Sequence, residues 1–67
     1  MTFQDAVDHS RINCAVRTVG AWTVYVWRDG RYEAFWRDGV RLRGPLGAIV
    51  KRWIMEAAAL DWVAVPG

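Results

Sequence analysis

The tetrapeptide Trp27-Arg28-Asp29-Gly30 recurs nine residues later as Trp36-Arg37-Asp38-Gly39, and short runs of β-branched and aromatic residues flank each copy. Asp-Gly between two such runs is a strong signal for a β-hairpin, because glycine adopts the positive φ angle that closes the turn. Two such turns in succession predict an antiparallel β-meander.

The length of these loops decides which side chains share a face of the sheet, since a slip of one residue exchanges the two faces. Two-residue loops would place Arg31 and Glu33 on the same face as the neighbouring valines, so charges would lie in the core. Three-residue loops, each a type I turn closed by a glycine bulge, place Trp27 opposite Arg31. They likewise place Trp36 opposite Val40. We adopt this register because it gives one face without charge. That face comprises Trp22, Val24, Val26, Tyr32, Ala34, Trp36, Val40 and Leu42.

Hydrophobic periodicity predicts the remaining elements. A short helix is expected over residues 2–10, where Thr2 and Asp5 resemble a capping box, and a longer helix over residues 45–60, with Pro45 in its first turn. The predicted strands span residues 11–18, 22–27, 31–36 and 40–43, and residues 61–67 form a tail that adds an edge strand or lies against the core. The expected fold is α+β: one small domain, residues 1–67, with a four-stranded antiparallel meander packed on one face by the C-terminal helix.

The C-terminal helix is expected to bury one apolar stripe against the charge-free face. The stripe comprises Leu46, Ile49, Val50, Trp53, Ile54, Ala57 and Ala58. Trp53 lies at its centre, so Trp53→Ala is expected to cost about 3–5 kcal/mol, whereas Trp27→Ala should cost little. In the first strand, three residues are expected to extend the same core face: Ile12, Cys14 and Val16.

The opposite face of the meander is the candidate functional site. It carries Thr23, Tyr25, Trp27, Arg31, Glu33, Phe35, Arg41 and Arg43. Tyrosine, tryptophan and arginine are enriched among the anchor residues of protein interfaces, and the same residue types stack on bases and contact phosphates in single-strand binders. The predicted partner-binding residues are Tyr25, Trp27, Arg31, Phe35, Arg41 and Arg43.

A third interpretation is that the residues of this face satisfy one another. In the adopted register, cation–π contacts would join Trp27 to Arg31, and an ion pair would join Glu33 to Arg43. Arg41 would lie opposite Phe35. The N-terminal helix would cover part of the face.

Composition limits the classes of function. Nine basic and seven acidic residues give a net charge of +2, which is small for a dedicated nucleic-acid binder. Cys14 is the only cysteine, so no intrachain disulfide or thiolate cluster is expected, and a reducing cytoplasm is the expected setting. His9 has no second ligand at metal-binding spacing. We expect no catalytic residue, metal or cofactor, and therefore no enzyme. The sequence also predicts no signal peptide and no membrane partner.

The leading hypothesis is a small protein-binding module that blocks a host protein or nucleoprotein complex. Phages and other mobile elements use single-domain proteins of this size and style as inhibitors or adaptors, including anti-CRISPR proteins that block CRISPR effector complexes. Such a protein needs a rigid platform and a few anchor side chains. The alternative is a module that binds single-stranded nucleic acid through the same face, and a homodimer is also compatible with the sequence.

Overall fold

The computed structural model, which describes residues 1–67, contains two helices and a four-stranded antiparallel sheet. The helices are α1 (Phe3–His9) and α2 (Pro45–Ile54). The strands are β1 (Cys14–Val19), β2 (Trp22–Trp27), β3 (Tyr32–Trp36) and β4 (Val63–Ala64), in the order β3-β2-β1-β4. The expected α+β class is confirmed. Neither helix has the length and apolar character needed to cross a membrane.

The repeated tetrapeptide folds in the same way twice. In the first copy, the Gly30 N–H donates to the Trp27 carbonyl at 3.0 Å, and the Trp27 N–H donates to the Arg31 carbonyl at 2.9 Å. The second copy repeats the two hydrogen bonds at 2.8 and 2.9 Å. Gly30 has a φ of 91° and Gly39 a φ of 87°, as a glycine-closed bulge requires. The three-residue loops and the predicted register of the hairpins are confirmed.

Replacing either loop glycine by alanine should lower the melting temperature. No atom lies within 4 Å of a Cβ built at Gly30 or Gly39, so the cost comes only from holding a side chain at positive φ. A strain of about 1 kcal/mol corresponds to roughly 4–8 °C in a domain of this size. Gly30→Asn is the matched control and should lose less, because asparagine tolerates positive φ better than alanine does. Unchanged melting curves for both alanine variants would contradict the turn geometry.

The fourth strand lies at the opposite edge of the sheet from the one predicted. Residues 40–43 form no strand, because the chain leaves the sheet after a single bridge between Phe35 and Arg41. Gly44, with a φ of 64°, turns the backbone into α2, where Pro45 has no N–H to continue a ladder. Instead, β4 pairs with β1 and completes the sheet.

The face that β1 presents to the core is the reverse of the prediction. The two-residue loop Gly20-Ala21 pairs Val19 with Trp22, which is a core-face residue. Side chains alternate along β1, so its core face carries Ala15, Arg17 and Val19. The other face carries Cys14, Val16 and Thr18. The prediction that Ile12, Cys14 and Val16 extend the core face is therefore wrong.

Ser10 connects the end of α1 to the start of β1. Its hydroxyl donates to the Val65 carbonyl at 2.6 Å and accepts the Cys14 N–H at 3.1 Å. Asn13 has a φ of 57°, so the backbone turns before Cys14. For this reason the first strand begins at residue 14 and not, as predicted, at residue 11.

Arg17 lies on the core side of β1, and its charged side chain extends to the C-terminal end of α2. Its guanidinium donates to the Ile54 carbonyl and to the Asp61 carboxylate, both at 2.6 Å. The hydrogen bond from Arg17 lowers the pKa of Asp61 below its usual value. The charge is tolerated on this face because its donors find partners at the edge of the core.

The core lies between one face of the sheet and the two helices. It comprises Ala6, Val7, Ala15, Val24, Val26, Ala34, Val50, Ile54, Ala59 and Trp62. Trp62 is the largest fully buried side chain, and its ring packs edge-on against Phe3 with centroids 5.1 Å apart. The predicted tail therefore provides both the edge strand and the largest core residue.

The helix α2 ends at Ile54, six residues before the predicted end, and only half of its apolar arc faces the core. Its buried residues are Gly47, Val50 and Ile54. The other apolar residues are exposed and are called the outer stripe below: Leu46 (49% exposed), Ile49 (64%) and Trp53 (55%). The prediction of a buried Trp53 is therefore wrong.

The rotation of α2 follows from a close approach at Gly47. A Cβ at this position would lie 3.2 Å from the Leu42 carbonyl oxygen and 3.6 Å from the Tyr32 ring. The helix turns its only residue without a side chain towards this contact, which directs the outer stripe away from the sheet. Trp62 enters the core from the tail in place of the tryptophan that the periodicity suggested.

Candidate functional site

The face of the sheet opposite the helices carries the predicted site and is called the open face below. Its residues are Cys14, Val16, Thr18, Thr23, Tyr25, Trp27, Arg31, Glu33, Phe35, Arg41 and Val63. The buried residues of α1, Ala6 and Val7, belong to the core on the other side, and so do those of α2. Neither helix covers the open face, so the expectation that the N-terminal helix lies over it is wrong.

An aromatic pair occupies the middle of the open face. The rings of Tyr25 and Phe35 meet edge-to-face, with centroids 5.9 Å apart and an interplanar angle of 88°. Beside them, the hydroxyls of Thr18 and Thr23 share a hydrogen bond of 2.9 Å. Both aromatic side chains are half-buried by their neighbours in the sheet, so their conformations are restricted and their outer surfaces stay accessible.

Trp27 and Arg31 form the cation–π contact that the register predicts. The guanidinium carbon of Arg31 lies 5.3 Å from the centre of the Trp27 ring. Asp29 accepts hydrogen bonds from the Arg31 backbone N–H at 3.0 Å and from Nε at 2.8 Å, and these lower the pKa of Asp29. The first turn therefore positions one arginine over one tryptophan, which gives a preorganised cationic and aromatic surface.

The other charged residues of the site have no partner within the chain. Glu33 and Arg43 form no ion pair, and Arg41 makes no cation–π contact with Phe35. The reason is that the chain leaves the sheet after the bridge at Arg41, so pairing does not continue to Arg43. The interpretation that the residues of this face satisfy one another therefore holds for Trp27. It fails for Glu33, Arg41 and Arg43.

The structure brings the predicted binding residues together. Trp27, Arg31, Glu33 and Arg41 line one shallow depression. Tyr25 and Phe35 line a second one next to it. Arg43 lies at the edge of β3, where it lines a third depression together with Glu33 and Arg41. The six residues therefore form one continuous surface, with the aromatic side chains at its centre and guanidinium groups along one side.

Two parts of the surface were missed from the sequence. Val16 and Val63, paired across β1 and β4, extend the open face with apolar side chains. The two-residue length of the Gly20-Ala21 loop was the signal for this, since it fixes Val19 on the core face and Val16 on the open face. The outer stripe of α2 was missed because periodicity marks an apolar arc and does not say which part of it is buried.

The remaining candidate residues have local roles. Cys14 is buried, as expected, although on the face opposite the one predicted, and this burial raises the pKa of its thiol. His9 Nδ1 lies 2.7 Å from the Asp5 carbonyl in its own helix. Asp8 pairs with Arg28 at 3.0 Å. No three histidine, cysteine or acidic side chains converge anywhere in the chain.

The open face is suited to binding, because it presents rigid aromatic side chains next to guanidinium groups that have free donors. Guanidinium groups bind carboxylates or phosphates through two parallel hydrogen bonds. No protein-family model, curated protein or solved structure matches the chain. Its function therefore has to be inferred from its own residues.

Proposed function

We propose that the protein is a non-enzymatic binding module that recognises another protein through the open face. The observation that carries this proposal is a sheet face, free of any covering helix, with three aromatic side chains and arginines that have no partner in the chain. A covered face would give these residues a structural role. An uncovered one leaves them available to a partner.

The arrangement has the features of an interface anchor. Tyr25, Trp27 and Phe35 extend from paired strands, and their half-burial limits the conformational entropy that binding removes. Arg41 and Arg43 at the rim have free donors for carboxylates of a partner, and Glu33 offers an acceptor among them. An apolar centre with a charged rim is the usual organisation of a protein–protein interface.

We extend the proposal to an inhibitor or adaptor of the kind that phages and mobile elements direct against host machinery, such as CRISPR effector complexes. A standard interface covers about 800 Å² per partner, so most of one sheet face is enough to block a functional surface. Inhibition by steric blocking needs no chemistry from the protein. The small size and the aromatic, arginine-rich face are the features that support this extension.

Capture of a host partner tests the proposal. The affinity-tagged protein is incubated with host lysate, and bound proteins are identified by mass spectrometry and then measured with the purified partner. Tyr25→Ala, Trp27→Ala and Phe35→Ala should each weaken binding by about 2 kcal/mol or more, roughly 30-fold in Kd, while melting shows a folded domain. Trp53→Ala is the matched control, because it removes an exposed tryptophan from α2 and should leave this binding unchanged. Binding that survives all three open-face replacements would contradict the assignment.

The second candidate is a module that binds single-stranded nucleic acid, favoured by the free guanidinium groups of Arg41 and Arg43 beside the accessible aromatic rings of the open face. Under this hypothesis, affinity for an oligonucleotide falls steeply with salt, and each arginine replacement reduces the salt slope by about one unit. We expect only weak and non-specific association. Micromolar binding at physiological salt, with no protein partner recovered, would favour nucleic acid instead.

A further inference from the structure

Three charged side chains of the open face alternate in sign along its β3 side. Arg31 and Glu33 are two residues apart in an extended chain, so they point to the same face about 7 Å from each other. Arg41 follows at the next cross-strand position, where it is bridged to Phe35. The three charged side chains line one shallow depression and are called the charge row below. Along this row the charge is positive, negative and positive again.

The charge row keeps free hydrogen-bonding groups for a partner. Glu33 and Arg41 form no ion pair within the chain. The side chain of Arg31 contacts Asp29 only through Nε, at 2.8 Å, so its two terminal Nη groups make no hydrogen bond. The Arg31 guanidinium also lies over the Trp27 ring, 5.3 Å from its centre. These contacts fix the position of that guanidinium before a partner binds, which reduces the entropy lost on binding.

The rest of the open face is uncharged. Across the sheet from Glu33, the same row of cross-strand partners continues with Tyr25, Val16 and Val63. The charges of this face are therefore confined to its β3 side, and apolar and aromatic side chains extend from there to β4. A partner has to supply complementary charges only where it lies over β3.

We propose that the charge row binds an extended segment of the partner protein in which one basic residue stands between two acidic ones, in the order acid-x-base-x-acid. This inference rests on the proposed function and names the chemistry of the partner at the same surface. In an extended segment, alternate side chains point the same way and recur every ~7 Å, which is the spacing of Arg31 and Glu33. Arg41 lies one strand further out, so a segment over all three charges crosses β3 at a shallow angle. Strands of face-to-face sheets cross in this way, at about 30°.

Glu33 selects a protein segment over nucleic acid at this surface. The phosphates of a single strand are all negative, so a strand that reaches both Arg31 and Arg41 brings a like charge towards Glu33. Like charges that face each other across an interface weaken binding. A basic residue in the middle of a protein segment makes Glu33 a third attractive contact instead.

A second copy of the chain matches the charge row less well. A two-fold axis through Glu33 would bring the two Glu33 carboxylates together and would place each Arg31 against an Arg41. A copy displaced by one position would pair Glu33 with Arg41 twice and would leave each Arg31 without a partner. An acid-x-base-x-acid segment pairs all three charges.

Selection from a phage-displayed library of random linear peptides tests the order of the charges. The immobilised wild-type protein should enrich peptides with the acid-x-base-x-acid spacing. Glu33→Lys reverses the middle charge, so this variant should enrich peptides with three alternating acidic residues. Glu56→Lys is the matched control, because Glu56 is an exposed glutamate after α2, outside the open face. It should enrich the same peptides as the wild type.

Synthetic peptides measure the size of the effect. The probe is a labelled peptide with glutamate, lysine and glutamate separated by threonines, and the comparison peptide has the same composition in the order lysine, glutamate, glutamate. By fluorescence anisotropy, we expect the wild type to bind the first peptide at least ~10-fold more tightly than the second. Glu33→Lys should remove this preference and should bind oligothymidylate at least ~10-fold more tightly than the wild type does. Glu33→Gln, which keeps the shape of the side chain, should change both affinities in the same direction, and melting curves show whether each variant is folded.

The results separate a failure of this inference from a failure of the proposed function. Capture of the host partner that survives Tyr25→Ala, Trp27→Ala and Phe35→Ala would contradict the open face as a binding surface. Loss of capture in those variants, with capture and peptide affinities unchanged in Glu33→Lys, would leave the open face as the site and overturn the charge order.

Three other results would also overturn the inference. The first is equal affinity of the wild type for the two peptides, or enriched peptides without the charge order. The second is tighter binding of the wild type to oligothymidylate than to either peptide, which would make nucleic acid the ligand. The third is a dimer in sedimentation that Glu33→Lys dissociates, which would make a second copy the occupant.

Discussion

Trp62→Ala should destabilise the protein by about 3–5 kcal/mol, whereas Trp53→Ala should change stability by no more than about 0.5 kcal/mol. Trp62 is only 2% exposed, and its ring fills the space between the sheet and α1 against Phe3. Removing it leaves a cavity in a domain with few other large core residues. Trp53 lies on the outer stripe, where its replacement opens no cavity.

Urea denaturation followed by circular dichroism measures both effects. Because small domains have total stabilities of about 5–15 kcal/mol, Trp62→Ala should bring the unfolding midpoint close to zero denaturant. Trp53→Ala is its matched control, since it removes the same side chain from the same chain. A larger loss of unfolding free energy for Trp53→Ala than for Trp62→Ala would mean that α2 is rotated so that Trp53 faces the core.

Two isoleucines of α2 provide the second large expected difference. Ile54→Ala should cost about 2–5 kcal/mol, because Ile54 is fully buried in the core between α2 and the sheet. Ile49→Ala should lie within about 0.5 kcal/mol of the wild type, since Ile49 belongs to the outer stripe. The substitution is identical and the helix is the same, so the small gain in helix propensity from alanine contributes to both variants.

The same pair can be compared by melting temperature. Ile49→Ala should retain the melting temperature, while Ile54→Ala should lower it by well over 5 °C. Differential scanning calorimetry on the two variants gives both values. Similar melting temperatures would show that the buried side of α2 is not the one that carries Ile54.

The sequence was sufficient to predict those parts of the structure that depend on nearby residues. The two Trp-Arg-Asp-Gly loops, their glycine bulges and the register between β2 and β3 depend on residues a few positions apart, and the structure agrees with each of them. The central part of the open face follows from that register. Tyr25, Trp27 and Phe35 were therefore placed together correctly from alternation within the strands and from the register between them.

The errors arise where distant residues decide the outcome. Gly47 sets the rotation of α2 through its approach to Leu42, a tertiary contact that helical periodicity does not contain. Trp62 enters the core from beyond the helix, and β4 closes the sheet at an edge that no local pattern specifies. The reversed face of β1 is different, because the two-residue loop at Gly20-Ala21 contained the necessary information in the sequence.

The position of β4 also shapes how the sheet is assembled. Ser10 and Val65, whose hydrogen bond fastens this edge, are 55 residues apart in sequence, so the contact closes one of the longest loops that the chain can form. Until that closure, β1 has unpaired N–H and C=O groups along one edge, ready to pair with another unfinished chain. Contacts of such long range form slowly compared with hairpins. During folding, therefore, the two-residue strand β4 covers the edge of β1 that would otherwise be free to pair with another chain.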